Sequence, residues 1–198
     1  MSPIRPKTSG APVRRSNPGV AGSAVAGFPA ATAMSPAQRA QGICLRLLTA
    51  RPRSRAELAE ALRRRGIPEE IGGSVLDRLN EVGLVDDAAF AEVAVHSGHR
   101  HLGLGRRALS TELRRRGVPD EIVREAVETV RPEDEEQRAR ELLRRKLRTS
   151  TARNASTLAR KLGGMLVRKG YSEALAWRVV REELSPGDWS TEVEPCPD

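Results

Sequence analysis

Aromatic residues are scarce in this sequence: one Tyr, two Phe and two Trp make up 3% of its 198 residues. A densely packed core must therefore be built from Leu, Val, Ile and Ala. Stacking of bases on aromatic rings, a common way of binding single-stranded nucleic acid, is not expected as the main mode of binding. Any affinity for nucleic acid should instead be electrostatic and should fall as the salt concentration rises.

Cysteine is almost absent as well, and the two cysteines lie in unrelated contexts. Cys44 lies on an apolar helical face, whereas Cys196 lies in a polar tail. This arrangement indicates neither a disulfide scaffold nor a zinc site, and it fits a reducing compartment. We therefore expect a cytoplasmic protein.

Long apolar runs are missing, since no stretch approaches the ~20 apolar residues that a membrane span requires. Arg14 and Arg15, followed by the segment 20–33, superficially resemble a secretory signal. That segment, however, contains two glycines, a proline and no leucine. We interpret residues 1–35 as a disordered basic arm and expect no membrane partner.

Catalytic and metal-binding motifs are also missing. No motif pairs Ser54 or Ser110 with a histidine, because the three histidines fall in one short segment. His96 and His99 have helical spacing, but no nearby cysteine or carboxylate pattern completes a metal site. We expect no enzyme activity, no metal and no cofactor.

What the sequence does contain is a repeat. The segment Leu62–Ile71, LRRRGIPEEI, returns 51 residues later as Leu113–Ile122, LRRRGVPDEI. A blurred third copy, LVRKGYSEAL, occupies Leu166–Leu175. Self-similarity at a nearly constant period is typical of tandem arrays, in which one supersecondary unit stacks on its neighbours.

Each copy of the repeat predicts the end of one helix and the start of another. A left-handed glycine just past the last turn ends the helix, with an apolar contact across the stop. The stops are predicted at Gly66, Gly117 and Gly170, and the apolar pairs are Leu62 with Ile67, Leu113 with Val118, and Leu166 with Tyr171. Pro68 and Pro119 are expected at the first position of the following helix, and Ser172 is a candidate N-cap.

Helical periodicity outside the repeat predicts an all-α fold of three tandem three-helix repeats in an elongated, curved stack. The predicted repeats are residues 36–85, 86–131 and 132–184, and residues 185–198 form a flexible C-terminal tail. In the second repeat we expect Phe90, Val93 and Ala94 to face inward.

Arginine clusters precede each helix stop, within a chain of formal charge +8 and pI near 10.6. In one interpretation these cations complement helix C-termini on a solvated face. In the other, equivalent positions in stacked repeats form a basic track for an extended polyanion. The candidate contact residues are Arg63, Arg64, Arg65, Arg106, Arg107, Arg114, Arg115, Arg116, Arg144, Arg145, Lys146, Arg160, Lys161, Arg168 and Lys169.

Several of these segments closely resemble the bacterial RecX family. They are Ser54–Leu58, Leu62–Gly66, Val75–Leu79 and Gly83–Asp87 with the Phe90-Ala91 pair that follows, and similarity extends over residues 37–184. The resemblance implies a cytoplasmic modulator of the RecA recombinase that acts in recombinational DNA repair and the SOS response. Such proteins bind RecA in the groove of the RecA–DNA filament and mainly inhibit its ATPase, strand-exchange and co-protease activities.

The expected partners are therefore RecA and the RecA–DNA filament, with weak non-specific binding to DNA, and we expect a monomer. Two other hypotheses stay open at this point. Helix–stop–helix units with arginines also resemble helix-turn-helix readers, which would bind duplex DNA directly and without RecA. A helical scaffold for an acidic protein unrelated to recombination is the third hypothesis.

Overall fold

The structure, a computed structural model, describes residues 34–149 and 154–184. Residues 1–33 of the predicted arm therefore lie outside the described residues, and so does the whole predicted tail, 185–198. None of the helices in the described ranges combines the length and the apolar character needed to span a bilayer.

Nine α-helices and no strand are found in the described part of the chain. Module 1 contains α1 (Pro36–Ala50), α2 (Arg55–Arg63) and α3 (Glu69–Glu81); module 2 contains α4 (Asp87–Ser97), α5 (Arg106–Arg115) and α6 (Asp120–Glu128); module 3 contains α7 (Pro132–Arg148), α8 (Ala155–Arg168) and α9 (Glu173–Glu183). A π-helical segment, Gly98–Leu102, joins α4 to α5. The prediction of an all-α fold of three tandem three-helix repeats is confirmed.

The second helix of each module ends at the glycine that the repeat predicted. Gly66, Gly117 and Gly170 have φ of 71°, 74° and 87°. The backbone N–H after each glycine donates to the carbonyl five residues before it: Ile67 to Leu62 at 3.2 Å, Val118 to Leu113 at 3.2 Å, and Tyr171 to Leu166 at 3.1 Å. All six of these apolar residues are buried. The predicted stops at left-handed glycines, each flanked by a buried apolar pair, are confirmed.

Helix starts were predicted less accurately. Ser172 caps α9 as expected, and its hydroxyl accepts from the Leu175 N–H. Pro68 and Pro119, expected at the first helical position, instead precede it as the N-caps of α3 and α6. Their ψ angles of 141° and 142° lie outside the helical region, so the prediction was wrong by one residue.

Each module has its own apolar core, which is almost entirely aliphatic, as the scarcity of aromatics required. Leu58, Leu62 and Leu76 are fully buried in module 1, and Cys44 joins them. Separate clusters surround Leu113 in module 2 and Leu166 in module 3. The stop residues are therefore part of the core of each module.

One inward-facing residue was predicted wrongly. Val93 of α4 is 59% exposed, whereas Phe90, Ala91 and Val95 are buried. At 100° per residue, the buried side of α4 covers an arc of about 140°, and Val93 lies about 60° outside it. Its spacing of three residues from Phe90 was compatible with either face, and the position of Val95 decides between them.

Modules 1 and 2 meet at the start of α2. Ser54, the buried N-cap of α2, donates its hydroxyl hydrogen to the Arg116 carbonyl at 2.6 Å while its oxygen accepts from the Glu57 N–H at 3.1 Å. The next residue, Arg55, donates its backbone N–H to the Asp87 carboxylate at 2.8 Å. A side chain from the first turn of module 2 thus satisfies a free N–H at the start of a helix of module 1.

Modules 2 and 3 meet at the start of α5 in an equivalent arrangement. The Gly105 N–H donates to the Lys169 carbonyl at 2.8 Å, and the Arg106 N–H donates to the Glu135 carboxylate at 2.8 Å. In both junctions the N-cap of a second helix bonds to the carbonyl just before the next module's stop glycine. In both, the following N–H bonds to a carboxylate in the first turn of the next module.

The stop glycines lie inside these junctions. A Cβ on Gly117 would lie 2.4 Å from Ala56 Cβ, and a Cβ on Gly170 would lie 2.2 Å from the Ala108 nitrogen. Gly66, which has no preceding module, would place a Cβ in open space. The first stop therefore requires glycine for its backbone angle alone, whereas the other two also require it for close approach of two modules.

This difference yields a prediction for stability. Gly66→Ala should destabilise the protein by roughly 1–2 kcal/mol, the cost of a left-handed alanine. Gly117→Ala carries the same backbone cost and also an overpacking cost of roughly 1–3 kcal/mol against Ala56. Urea denaturation followed by circular dichroism measures both changes. Equal losses of stability would contradict the close approach at Gly117.

A second prediction concerns Ser54 and uses Ser35 as its matched control. Both serines form complete capping boxes, but Ser35 is exposed and its capping hydrogen bonds are both with Gln38 of its own helix. Ser35→Ala should cost about 1 kcal/mol, the usual value of an N-cap. Ser54→Ala should cost about 2 kcal/mol, because the hydrogen bond to Arg116 is lost as well. A loss no greater than that of Ser35→Ala would mean that the junction bond contributes nothing to stability.

Candidate interaction surface

The first arginine cluster is largely engaged within its own module. Arg63 forms an ion pair with Glu60, and Arg64 Nε lies 3.8 Å from the same carboxylate. Arg65 donates to the Ala61 carbonyl at 3.0 Å. All three side chains are exposed, so these contacts are solvent-screened and each is worth little to stability.

The second cluster is paired more tightly. Arg114 lies 2.6 Å from Asp120, while Arg115 and Arg116 each reach Glu112 at 2.8 Å. The Arg115 and Arg116 guanidinium groups lower the pKa of Glu112 to about 2. Arg116 also lies over the Phe90 ring, 5.6 Å from its centroid, which fixes this guanidinium beside the core of module 2.

The third module contains both paired and unpaired candidates. Arg144 forms a two-bond pair with Glu183 at 2.8 Å. Four other candidates are exposed and make no ion pair within residues 34–149 and 154–184: Arg145, Lys146, Arg160 and Lys161. The strongest concentration of unengaged cations among the predicted residues is therefore on α7 and α8.

The remaining four candidates lie at the junction of modules 2 and 3. Lys169 donates its ammonium to the Leu102 carbonyl at 2.7 Å, across that junction. The side chains of Arg106, Arg107 and Arg168 make no ion pair within the described ranges. Tyr171 donates its hydroxyl to the Gly103 carbonyl at 3.2 Å, and burial raises the pKa of this hydroxyl, so it stays a neutral donor.

A groove of about 940 Å³ crosses module 2 and is bordered by all three modules. We call it the arginine-rimmed groove. Its lining is mostly apolar and includes Phe90, Val93, Ala94, Leu102, Leu104 and Leu109; its cations are Arg51, Arg107, Arg116 and Arg168. Glu112 is the one carboxylate among the described residues that line it, and Arg115 and Arg116 already neutralise Glu112.

Sequence reasoning found three of these four arginines but missed Arg51 and the apolar lining. Arg51 lies in the turn after α1, outside any repeated cluster. The exposed Val93 could have been found from a helical wheel, since it falls outside the buried arc of α4. Nothing in the sequence placed Leu102 in the same groove as Val93, because the π-helical segment that carries Leu102 was not predicted.

The histidine segment lies on α4 and in the π-helical segment. His99 donates to the Leu104 carbonyl at 3.0 Å and is partly buried, while His96 and His101 are exposed. In the part of the chain that the structure describes, no group of three or more His, Cys, Asp or Glu side chains is placed to hold a metal ion.

Comparison with known proteins relates each module to a described domain. Residues 40–79 match the first three-helix domain of RecX, residues 86–127 the second, and residues 133–180 the third. A regulatory protein RecX of Thermobifida fusca is 56% identical over 146 residues, which cover 74% of this chain and 79% of that protein. A regulatory protein RecX of Streptomyces coelicolor is 50% identical over 157 residues, or 79% and 84% of the two chains.

Solved structures have the same fold. The crystal structure of RecX from Lactobacillus salivarius aligns with a TM-score of 0.64 at 20% identity and covers 74% of this chain and 96% of its own. Another crystal structure of a regulatory protein RecX aligns with a TM-score of 0.67 at 22% identity, over 73% and 72% of the two chains.

The fold and its cationic surface thus define a helical-repeat protein built from three serial three-helix modules. Relatives with this architecture bear the names of regulatory proteins, not of enzymes. The chain belongs to the RecX family.

The Glu112 cluster predicts a pH dependence of stability. Because folding lowers the pKa of Glu112 from 4.5 to about 2, its stabilising contribution is present above pH 4.5 and is lost as the pH falls toward 2. Glu112→Gln should therefore lower the melting temperature at pH 7 and have little effect at pH 2. An Arg115→Gln/Arg116→Gln variant should weaken the same acid-dependent change. Parallel pH curves for wild type and Glu112→Gln would contradict this assignment.

Proposed function

We propose that this protein binds RecA within the groove of the RecA–DNA filament and modulates it, mainly by inhibiting its ATPase, strand-exchange and co-protease activities. It would act in recombinational DNA repair and the SOS response, in the cytoplasm, as a monomer without enzymatic activity. Membership of a family of regulatory proteins supports a regulatory role. The name of the relatives supports RecA as the partner.

The observation that carries the proposal is the distribution of unengaged cations. Those on α7 and α8 can contact phosphate or acidic protein surface without giving up an internal partner. They are Arg145, Lys146, Arg160 and Lys161. The arginines of the first two clusters, apart from Arg65, must first exchange a carboxylate of their own module. We therefore assign the main filament contacts to α7 and α8, with weak non-specific affinity for DNA as a consequence.

Direct reading of duplex DNA is the alternative, and the charges at the helix starts count against it. In a helix-turn-helix reader, the N-terminal residues of the second helix of the pair enter the major groove. The corresponding first turns here are acidic: Glu69 and Glu70 in α3, Asp120 and Glu121 in α6, and Glu173 in α9. Carboxylates at these positions would repel the DNA backbone.

Two variants that each remove four positive charges test the proposal. Replacing Arg145, Lys146, Arg160 and Lys161 by Gln should raise the concentration that half-inhibits the RecA–DNA ATPase about tenfold, since several exposed charge contacts are lost. Replacing Arg63, Arg64, Arg114 and Arg115 by Gln should have a smaller effect, because these side chains are already paired. Far-UV circular dichroism serves as the control for folding.

Each outcome of this experiment has a separate meaning. If the wild-type protein has no effect on RecA ATPase, the proposed function is wrong. If it inhibits and the second variant loses more inhibition than the first, the assignment to α7 and α8 is wrong. Tight, sequence-selective binding to duplex DNA in the absence of RecA would favour the alternative function.

A further inference from the structure

We propose that the arginine-rimmed groove binds an amphipathic segment of the partner protein, in which bulky apolar side chains are flanked by carboxylates. This inference rests on the proposed function, because the partner would then be RecA. It goes beyond that function by separating two contact surfaces: a cationic one on α7 and α8, and an apolar one in module 2.

The first argument is the exposure of apolar side chains at one place. Val93 is 59% exposed and Leu102 is 62% exposed, and both border the groove. Isolated exposed apolar residues are ordinary on protein surfaces. These two instead line the same groove as the buried Phe90 and Leu109. The result is a mostly apolar lining in a concave site, the form that binds the apolar face of a helix or an extended segment.

The second argument is the charge at the border. Of the four arginines that line the groove, Arg51 is paired with Glu57 and Arg116 with Glu112, which is the one carboxylate among the described lining residues. Arg107 and Arg168 have no ion pair within residues 34–149 and 154–184, and they belong to different modules. Guanidinium groups with no internal partner favour carboxylates on the occupant and disfavour a basic segment.

The third argument separates a protein segment from nucleic acid. A single strand bound in a groove is usually held by bases stacked on exposed rings. The two aromatic residues that line this groove are buried, with Phe90 6% exposed and Tyr171 fully enclosed. Phosphates would neutralise the arginines but would leave Val93 and Leu102 in water. An amphipathic protein segment satisfies both the charge and the apolar surface.

The groove also depends on the packing of the modules. Arg51 comes from module 1, Val93 from module 2 and Arg168 from module 3. A segment bound there would contact all three modules at once. Because such a ligand binds only the docked arrangement, it would stabilise both junctions by mass action.

Neutral substitutions test the apolar contact without changing the charge. Val93→Gln/Leu102→Gln should weaken co-sedimentation with RecA filaments on single-stranded DNA by at least about tenfold, the usual loss at a buried apolar anchor. Val82→Gln/Leu84→Gln is the matched control, since Val82 is 63% and Leu84 52% exposed and neither borders the groove. The control should bind within about twofold of wild type.

A second pair tests the rim. Arg107→Gln/Arg168→Gln should weaken binding and reduce its dependence on salt concentration. Arg124→Gln/Arg181→Gln removes the same charge from exposed arginines of α6 and α9 that have no ion pair in the described ranges and do not line the groove. Equal losses of affinity in the two variants would mean that Arg107 and Arg168 act only through the net charge of the protein. That result would overturn the proposed role of the rim in selecting an acidic segment.

Photo-crosslinking identifies the occupant directly. With benzoylphenylalanine in place of Val93, the crosslinked product should contain a RecA segment in which acidic residues flank bulky apolar ones. A crosslink to DNA, or to a basic or wholly polar segment, would overturn the proposal. If wild type fails to bind RecA filaments at all, the proposed function falls. If wild type binds but the Val93/Leu102 variant binds equally well, the groove proposal falls and the function stands.

Discussion

Close approach of two modules at the starts of α2 and α5 is the constraint on which the rest of this structure depends. At the junction of modules 2 and 3, a Cβ on Gly105 would lie 2.7 Å from the Gly170 carbonyl carbon, and the Gly105 N–H bonds to the Lys169 carbonyl. No side chain larger than hydrogen fits between these segments. The same hydrogen bonds satisfy helix ends that would otherwise be buried without partners. Specific docking and helix capping are thus achieved by one set of contacts.

The repeat therefore encodes two functions in one residue. A glycine that ends a helix presents its backbone at the surface of its module, where the preceding module can reach it. Gly117 and Gly170 serve both purposes, whereas Gly66 serves the first alone. A first-turn carboxylate, Asp87 or Glu135, adds the second contact of each junction. This also explains why the three modules keep separate aliphatic cores: their docking rests on backbone and polar contacts and does not require a shared core.

Local features of this fold could be predicted from the sequence, because they depend on residues within one turn of each other. Helix stops at glycines and the cap at Ser172 are of this kind. Long-range arginine partners could not be predicted in this way, since Arg144 pairs with Glu183 across module 3, and that pairing requires the helix packing. The arginine-rimmed groove could not be predicted from the sequence for the same reason, because its residues come from three modules. Val93 is an intermediate case. A helical wheel places it outside the buried arc of α4, but its spacing of three residues from Phe90 is also compatible with the buried face.

Ion pairing changes the meaning of the arginine clusters. A cluster that recurs with the repeat suggests a continuous basic track. The arginines of the second cluster, however, form ion pairs with Glu112 and Asp120. The Arg114–Asp120 pair joins the two sides of the stop glycine, whereas the unpaired Arg107 and Arg168 line a groove that all three modules border. Repetition in this sequence therefore marks the residues that hold the modules together. The residues best suited to bind a partner are cations that lie outside the repeated segments, such as Arg107, or that make no ion pair within the described residues, such as Arg168.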